Sequence, residues 1–242
     1  GSSKGKILPV ERFVKSFEEQ SLRLADSVFG QTVSGKWVYQ SEVIDYVEED
    51  LFMAPDLSTI RKIPWNKEPT AQIICDLNYP SGEPSKIAPR QVLKNIIRQL
   101  SDENLRAVVA PELEFYLCEQ NLDPDLPLKT PVGKSGRRET GSRVFGIDAV
   151  NEFDKLTDDI YDYCELMNIG VDTLVHESGP SQIEINLNHG DPLALADQAF
   201  MFKRAVRQVA LKHNIHATFM AKPYQGQPGS SMHIHQNLVS AE

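Results

Sequence analysis

Gly229-Ser230-Ser231-Met232-His233-Ile234-His235-Gln236-Asn237-Leu238 sets two histidines two residues apart among apolar neighbours. Along an extended strand, successive side chains point to opposite faces. His233, His235 and Asn237 therefore share one face, and Met232, Ile234 and Leu238 take the other. The small residues 229–231 read as the turn that leads in. Two imidazoles on one strand face call for a partner, and the nature of that partner decides how the chain must fold around them.

Two other stretches offer one. Val108-Val109-Ala110-Pro111-Glu112-Leu113-Glu114-Phe115-Tyr116-Leu117 reads as a strand with Glu112 and Glu114 on one face and Leu113 and Phe115 on the other. Ser181 to Asn188 alternates in the same way, with Gln182, Glu184, Asn186 and Asn188 opposed to Ile183, Ile185 and Leu187. Glu177 stands just upstream. A half-buried antiparallel strand alternates whatever its function, so one such strand means only a solvated face. Three together mean more, because none of these polar faces carries Lys or Arg. Carboxylates gathered on one concave face repel one another and lose hydration unless a cation joins them. Oxygen donors with an imidazole suit Mg²⁺ or Mn²⁺ better than zinc, and no Cys-x-x-Cys pair competes. The residues alone thus predict a divalent-metal site on a curved sheet, serving phosphate chemistry.

The rest of the chain fits a soluble α+β protein. It has 242 residues, 40% hydrophobic and 24% charged, and a net charge of −9, which argues against a nucleic-acid partner. No run of about 18 apolar residues suggests a membrane span. No secretory leader pattern is visible at the polar start, and Cys75, Cys118 and Cys164 read as buried free thiols, so a cytoplasmic location is expected. Val10 to Leu24 suits a helix and its exit. Residues 28–79 hold short β-rich runs (Lys36 to Tyr39, Ala71 to Cys75) cut by Gly and Pro. After the seam at Tyr79 to Pro84, helices are expected over Arg90 to Leu100, Asn151 to Met167 and Pro192 to Asn214. Asp191 would cap the last of these. Residues 119–146 form a polar excursion long enough to be a functional loop. His216 to Ala221 and Met232 to Leu238 read as strands.

At this point the motifs become familiar. Pro111 to Leu117 resembles the Glu-x-Glu-Phe strand of the glutamine synthetase superfamily, and Glu177-Ser178-Gly179-Pro180-Ser181-Gln182-Ile183-Glu184 resembles its second carboxylate pair. Thr218-Phe219-Met220-Ala221-Lys222-Pro223 followed by residues 229–235 is similar to its Lys-Pro and Gly-Ser-Gly-Met-His-x-His segment. Ala54 to Arg61 and Ile63-Pro64-Trp65 also match. His216 to Tyr224 is closest in flavour to the γ-glutamylpolyamine (γ-glutamylputrescine) synthetase branch.

The resemblance implies an N-terminal β-grasp domain, partial over residues 1–88. A partial catalytic domain over 89–242 would follow, with a curved antiparallel sheet flanked by helices. It implies an ATP-dependent ligase: ATP phosphorylates the γ-carboxylate of glutamate, and an amine such as putrescine attacks the γ-glutamyl phosphate. By motif, Glu114, Glu177 and Glu184 would hold one Mg²⁺ or Mn²⁺, and Glu112 with His233 a second. Glu177 and His235 would be catalytic, and His235 and Asn237 would bind the nucleotide. Gly229 and His233 would meet the glutamate. The expected assembly is a homo-oligomer, a dodecamer of two hexameric rings. Ammonia as nucleophile, or a non-catalytic structural relative, are the competing readings. Ser181 and Ser231 depart from the family by standing where Gly is usual, and Ser231 is expected to strain a turn that needs positive φ. Asn237 stands where a Ser is common. The chain is also expected to lack the first β-grasp strands and the C-terminal part of the family's active site.

Overall fold

The computed structural model describes residues 2–38 and 49–241. It resolves into two compact units, Gly1–Ile60 with Gln72–Glu103 and Arg61–Ala71 with Asn104–Glu242. In chain order the helices are α1 (Val10–Glu18), α2 (Pro89–Asp102), α3 (Ile147–Asn151), α4 (Asp154–Leu166) and α5 (Pro192–Lys212). The strands are β1 (Arg23–Ala25), β2 (Asp50–Pro55), β3 (Arg61–Lys62), β4 (Ala71–Gln72), β5 (Cys75–Asn78), β6 (Leu105–Glu119), β7 (Val171–His176), β8 (Gln182–Leu187), β9 (Ile215–Thr218) and β10 (Met232–Ser240).

In the first unit β1, β2 and β5 form an antiparallel sheet. Arg90, on the first turn of α2, reaches Asp56 at 2.6 Å and Asp76 at 2.8 Å, and Lys94 reaches Asp76 at 2.5 Å. Those ion pairs tie α2 to the strands before it. The compact units and the sequence division at 88–89 therefore cut the chain differently, since α2 counts with the first unit and residues 61–71 with the second. Of the run Lys36 to Tyr39, Tyr39 lies outside the described residues, and Trp37 forms an isolated bridge to Gln31.

The second unit is built on a five-stranded antiparallel sheet in the order β10-β6-β8-β7, with β9 also pairing β6. Register decides its chemistry. Leu113 lies opposite Met232 on one side and Ile185 on the other, and Phe115 lies opposite Ile183. Leu113, Phe115, Leu117, Ile183, Ile185 and Leu187 are all buried, each contributing about 2 kcal/mol by leaving water. Helix α5 packs against β6 and β9. It buries Phe202, Ala205, Val206, Val209 and Ala210 at helical spacing. Its start is capped as expected: the Asp191 carboxylate accepts from the Ala194 amide at 2.9 Å, and Pro192 fills the first turn.

The helix expected over Asn151 to Met167 is found as α4, Asp154–Leu166; the short α3 precedes it, and between them the Glu152 carboxylate accepts from the Ser135 amide at 3.0 Å. Two expectations need correction. Strand β7 has no counterpart in the sequence reading. Cys118 and Cys164 are buried, but Cys75 is only partly so. Among the described residues no helix is long and apolar enough to cross a membrane.

Candidate metal centre

Cross-strand partners in a sheet point to the same face. Glu112 on β6 is paired with His233 on β10 and with Asn186 on β8, while Glu114 is paired with Glu184. One face of the sheet therefore collects Glu112, Glu114, Glu184, Asn186, His233 and His235, opposite the face that packs on α5. Glu112, Glu184 and His233 each offer a ligand atom, and these atoms lie within 4.8 Å of one another.

Hydrogen bonds fix the cluster further. Glu112 Oε1 accepts from Asn186 Nδ2 and from His235 Nε2, both at 3.0 Å, and its Oε2 lies 3.3 Å from His233 Nδ1. The two histidines thus meet the two oxygens of one carboxylate. Glu114 is turned aside. It takes the Ser231 hydroxyl at 2.6 Å on Oε1, and the Gln182 amide at 3.0 Å and the Ser231 backbone N–H at 3.2 Å on Oε2.

Ser231 has a single hydroxyl proton, and Glu114 Oε1 takes it. The 3.2 Å contact between Ser231 Oγ and His233 Nε2 must then be donated by the ring. In a neutral imidazole this leaves Nδ1 as a bare lone pair facing the Glu112 carboxylate. Either a proton or a cation has to lie between them. Glu184 makes the same demand: burial, followed by the charges of Glu112, Glu177 and Glu114, pushes its carboxyl up to about 7, with His233 opposing. Two carboxylates and an imidazole in this state fit a hard divalent cation.

Not every residue singled out in the sequence joins this cluster. Glu177 lies close enough to raise Glu184, but its own Oε2 accepts from the Ser178 amide at 3.1 Å. Asn237 faces Val108 across the β10–β6 ladder, further along the edge strand. At Gly229 a Cβ would sit 2.7 Å from the Ala221 carbonyl oxygen, so the fold itself requires glycine there. The positive φ expected at Ser231 occurs at Ser181 instead, at +59°. Ser231 keeps an ordinary backbone and turns its hydroxyl into Glu114.

Two residues emerge that the sequence reading gave no role. Gln182, 1% exposed, donates to Glu114 Oε2, to the Gly229 carbonyl at 2.9 Å and to Ser230 Oγ at 3.3 Å. Its own Oε1 accepts from Gly179 N–H at 2.9 Å. One amide thus binds β6 to both loops that border the site. Tyr116, fully buried, donates to the Pro228 carbonyl at 2.7 Å; burial and the nearby Glu114 and Glu177 push its phenol up to about 12, so it stays a donor. Alternation had placed Gln182 on the polar face. Nothing in the pattern showed that it would be buried there.

Comparison with known proteins places the chain in a family. The family model described as glutamine synthetase, catalytic domain, matches residues 86–242. Gamma-glutamylputrescine synthetase PuuA of Escherichia coli (strain K12) is 36% identical over 241 residues, covering 98% of this chain and 51% of the relative. Glutamate–isopropylamine ligase of Pseudomonas sp is 30% identical over 244 residues, covering 98% and 52%. A solved glutamine synthase homolog superposes with a TM-score of 0.82 at 18% identity, over 99% of this chain and 53% of that one, and so shares the fold. The chain spans about half the length of the curated relatives it matches. With the catalytic-domain model matching across every strand and helix of the site, the chain belongs to the glutamine synthetase family.

Proposed function

We propose that this chain carries the metal-binding half of an ATP-dependent ligase that joins the γ-carboxylate of glutamate to an amine. The observation that carries the reading is the convergence of Glu112, Glu184 and His233 within 4.8 Å on paired antiparallel strands. Glu112 with His233, and Glu114 with Glu177 and Glu184, would hold Mg²⁺ or Mn²⁺. Bound there, the cations would neutralise the phosphate oxygens of ATP. His235 donates through Nε2 to Glu112 here, and the same N–H is the group that would reach a nucleotide phosphate. Asn237 would lie further along the nucleotide path. The chemistry needs the γ-carboxylate activated first, because a free carboxylate is a poor acyl donor; the amine then displaces phosphate from γ-glutamyl phosphate. Glu177 would stand beside the attacking nitrogen and take its proton.

An amine rather than ammonia is favoured because two relatives are named for amine acceptors, putrescine and isopropylamine. In the same reading residues 1–88 are a partial β-grasp domain, 89–242 are part of the catalytic domain, and the intact protein assembles as a homo-oligomer of two stacked hexameric rings in the cytoplasm. Phosphate release by the intact protein tests it, with ATP, Mg²⁺ and glutamate present across putrescine, spermidine, ethanolamine, isopropylamine and ammonia. Release that depends on glutamate and is fastest with one of the organic amines is the expected result. A preference for ammonia would make the protein a glutamine synthetase, and no glutamate-dependent release would leave a structural relative.

A further inference from the structure

The polar excursion of residues 119–146 sends one side chain into the interior behind the site. Glu139 is 9% exposed as a side chain, and its Oε2 lies 2.8 Å from His176 Nε2 and accepts from the Ser181 amide at 2.6 Å. His176, only 1% exposed, has its Nδ1 2.7 Å from the carbonyl of Glu177. A carbonyl can only accept, so Nδ1 donates to Glu177, and Nε2 faces the Glu139 carboxylate. Ser181 is buried and held at φ +59°, a conformation that an L-residue adopts only when its surroundings enforce it. Both ends of the Glu177–Ser181 turn are thus gripped from behind by one carboxylate, directly at Ser181 and through His176 at Glu177.

We propose that Glu139 is a positioning residue, which, through His176 and the Ser181 amide, fixes the turn that presents Glu177 to the metal. The proposal rests on the metal-dependent ligase reading above. A buried carboxylate is costly to keep, and outer partners of metal ligands change metal affinity by about 10- to 100-fold when lost. Through His176 and the Ser181 amide, Glu139 acts on where Glu177 sits. It also couples the long excursion to the site, because the same segment is held outside by the pairs Arg138 to Glu119 and Lys134 to Asp154.

Direct Mn²⁺ binding, followed by the electron-spin signal of the free ion without nucleotide, tests the proposal in the intact protein. Glu139→Ala should weaken Mn²⁺ binding about 10-fold. Glu139→Gln still accepts the Ser181 amide but offers no charge to His176, and should weaken it about 3-fold. Lys134→Ala, which loosens the same excursion at a distance, should leave the affinity unchanged. Should Glu139→Ala fail to fold, the Gln variant decides by itself. Mn²⁺ affinities within twofold of wild type in the folded Glu139 variants would overturn the proposal, as would an equal loss in Lys134→Ala. Wild-type protein that binds no Mn²⁺ would overturn the metal reading and this inference with it.

Discussion

The Glu184 carboxyl gives the site a pH dependence. With EDTA present, the Glu184 carboxyl titrates near 7 in the folded chain, against 4.5 for an ordinary glutamate. The folded state therefore binds that proton more tightly than the unfolded state. Its contribution to stability is fully present below pH 4.5 and is lost as pH rises through about 7. Urea melts in EDTA should show stability falling across that window, and saturating Mn²⁺ should remove the fall, because the cation replaces the proton. The same exchange predicts proton release on Mn²⁺ binding, measured as a buffer-dependent heat by calorimetry. Release should be larger at pH 6 than at pH 8, and equal heats in all buffers at pH 6 would contradict it. Much of this is legible in the sequence, because parity puts Glu112 with Glu114 and sets Glu184 and His233 each opposite an apolar strand face; pairing register then brings the three strands' polar faces together. What parity does not give is the rotation of each carboxylate. Glu114 turns to Ser231 and Gln182 because two donors meet it there, and no periodicity records that.

Among the elements, the turn between β7 and β8 is the place where local and global preferences conflict. Ser181 holds a left-handed backbone, and its buried hydroxyl finds no hydrogen-bond partner. The strain costs about 1 kcal/mol, and the orphaned hydroxyl adds to it. Ser181→Gly should therefore stabilise the fold by about 1 kcal/mol, after allowing for the greater freedom of glycine in the unfolded chain. Its Mn²⁺ affinity should stay unchanged, since the amide to Glu139 remains. Gly179→Ala should do the opposite. A Cβ there would lie 1.9 Å from the Tyr116 hydroxyl, so the tyrosine must leave the Pro228 carbonyl at a cost of about 2 kcal/mol. Thermal melts of the two variants should shift in opposite directions, and shifts of the same sign would refute this account of the turn. The long helices and the β6, β8 and β10 strands were readable because their apolar spacing is regular. Strand β7 was not, since Val171–His176 leaves two of its six residues exposed on an outer strand and shows no clean alternation. The short helix α3 was hidden too, because its five residues are too few to show a helical period.

At the scale of the whole molecule, the sheet does two jobs with one set of strands: its apolar face packs on α5, and its polar face gathers acid and imidazole. That division was visible in three short stretches. The split of the chain into compact units was less visible. Pro89 marks where α2 begins, but the ion pairs from Arg90 and Lys94 to Asp56 and Asp76 decide with which unit it packs. The acceptor amine is equally hidden, since no residue placed on the carboxylate face distinguishes one amine from another. The central claim, that this face serves phosphoryl transfer to the γ-carboxylate of glutamate, can be met head on with isotope. Glutamate labelled with ¹⁸O in its γ-carboxylate is incubated with the intact protein, ATP, Mg²⁺ and the preferred amine, and the released phosphate is weighed by mass spectrometry. Transfer of one ¹⁸O atom from glutamate to each phosphate is the predicted result, because breakdown of γ-glutamyl phosphate leaves that oxygen on phosphorus. Phosphate released without label would contradict the account.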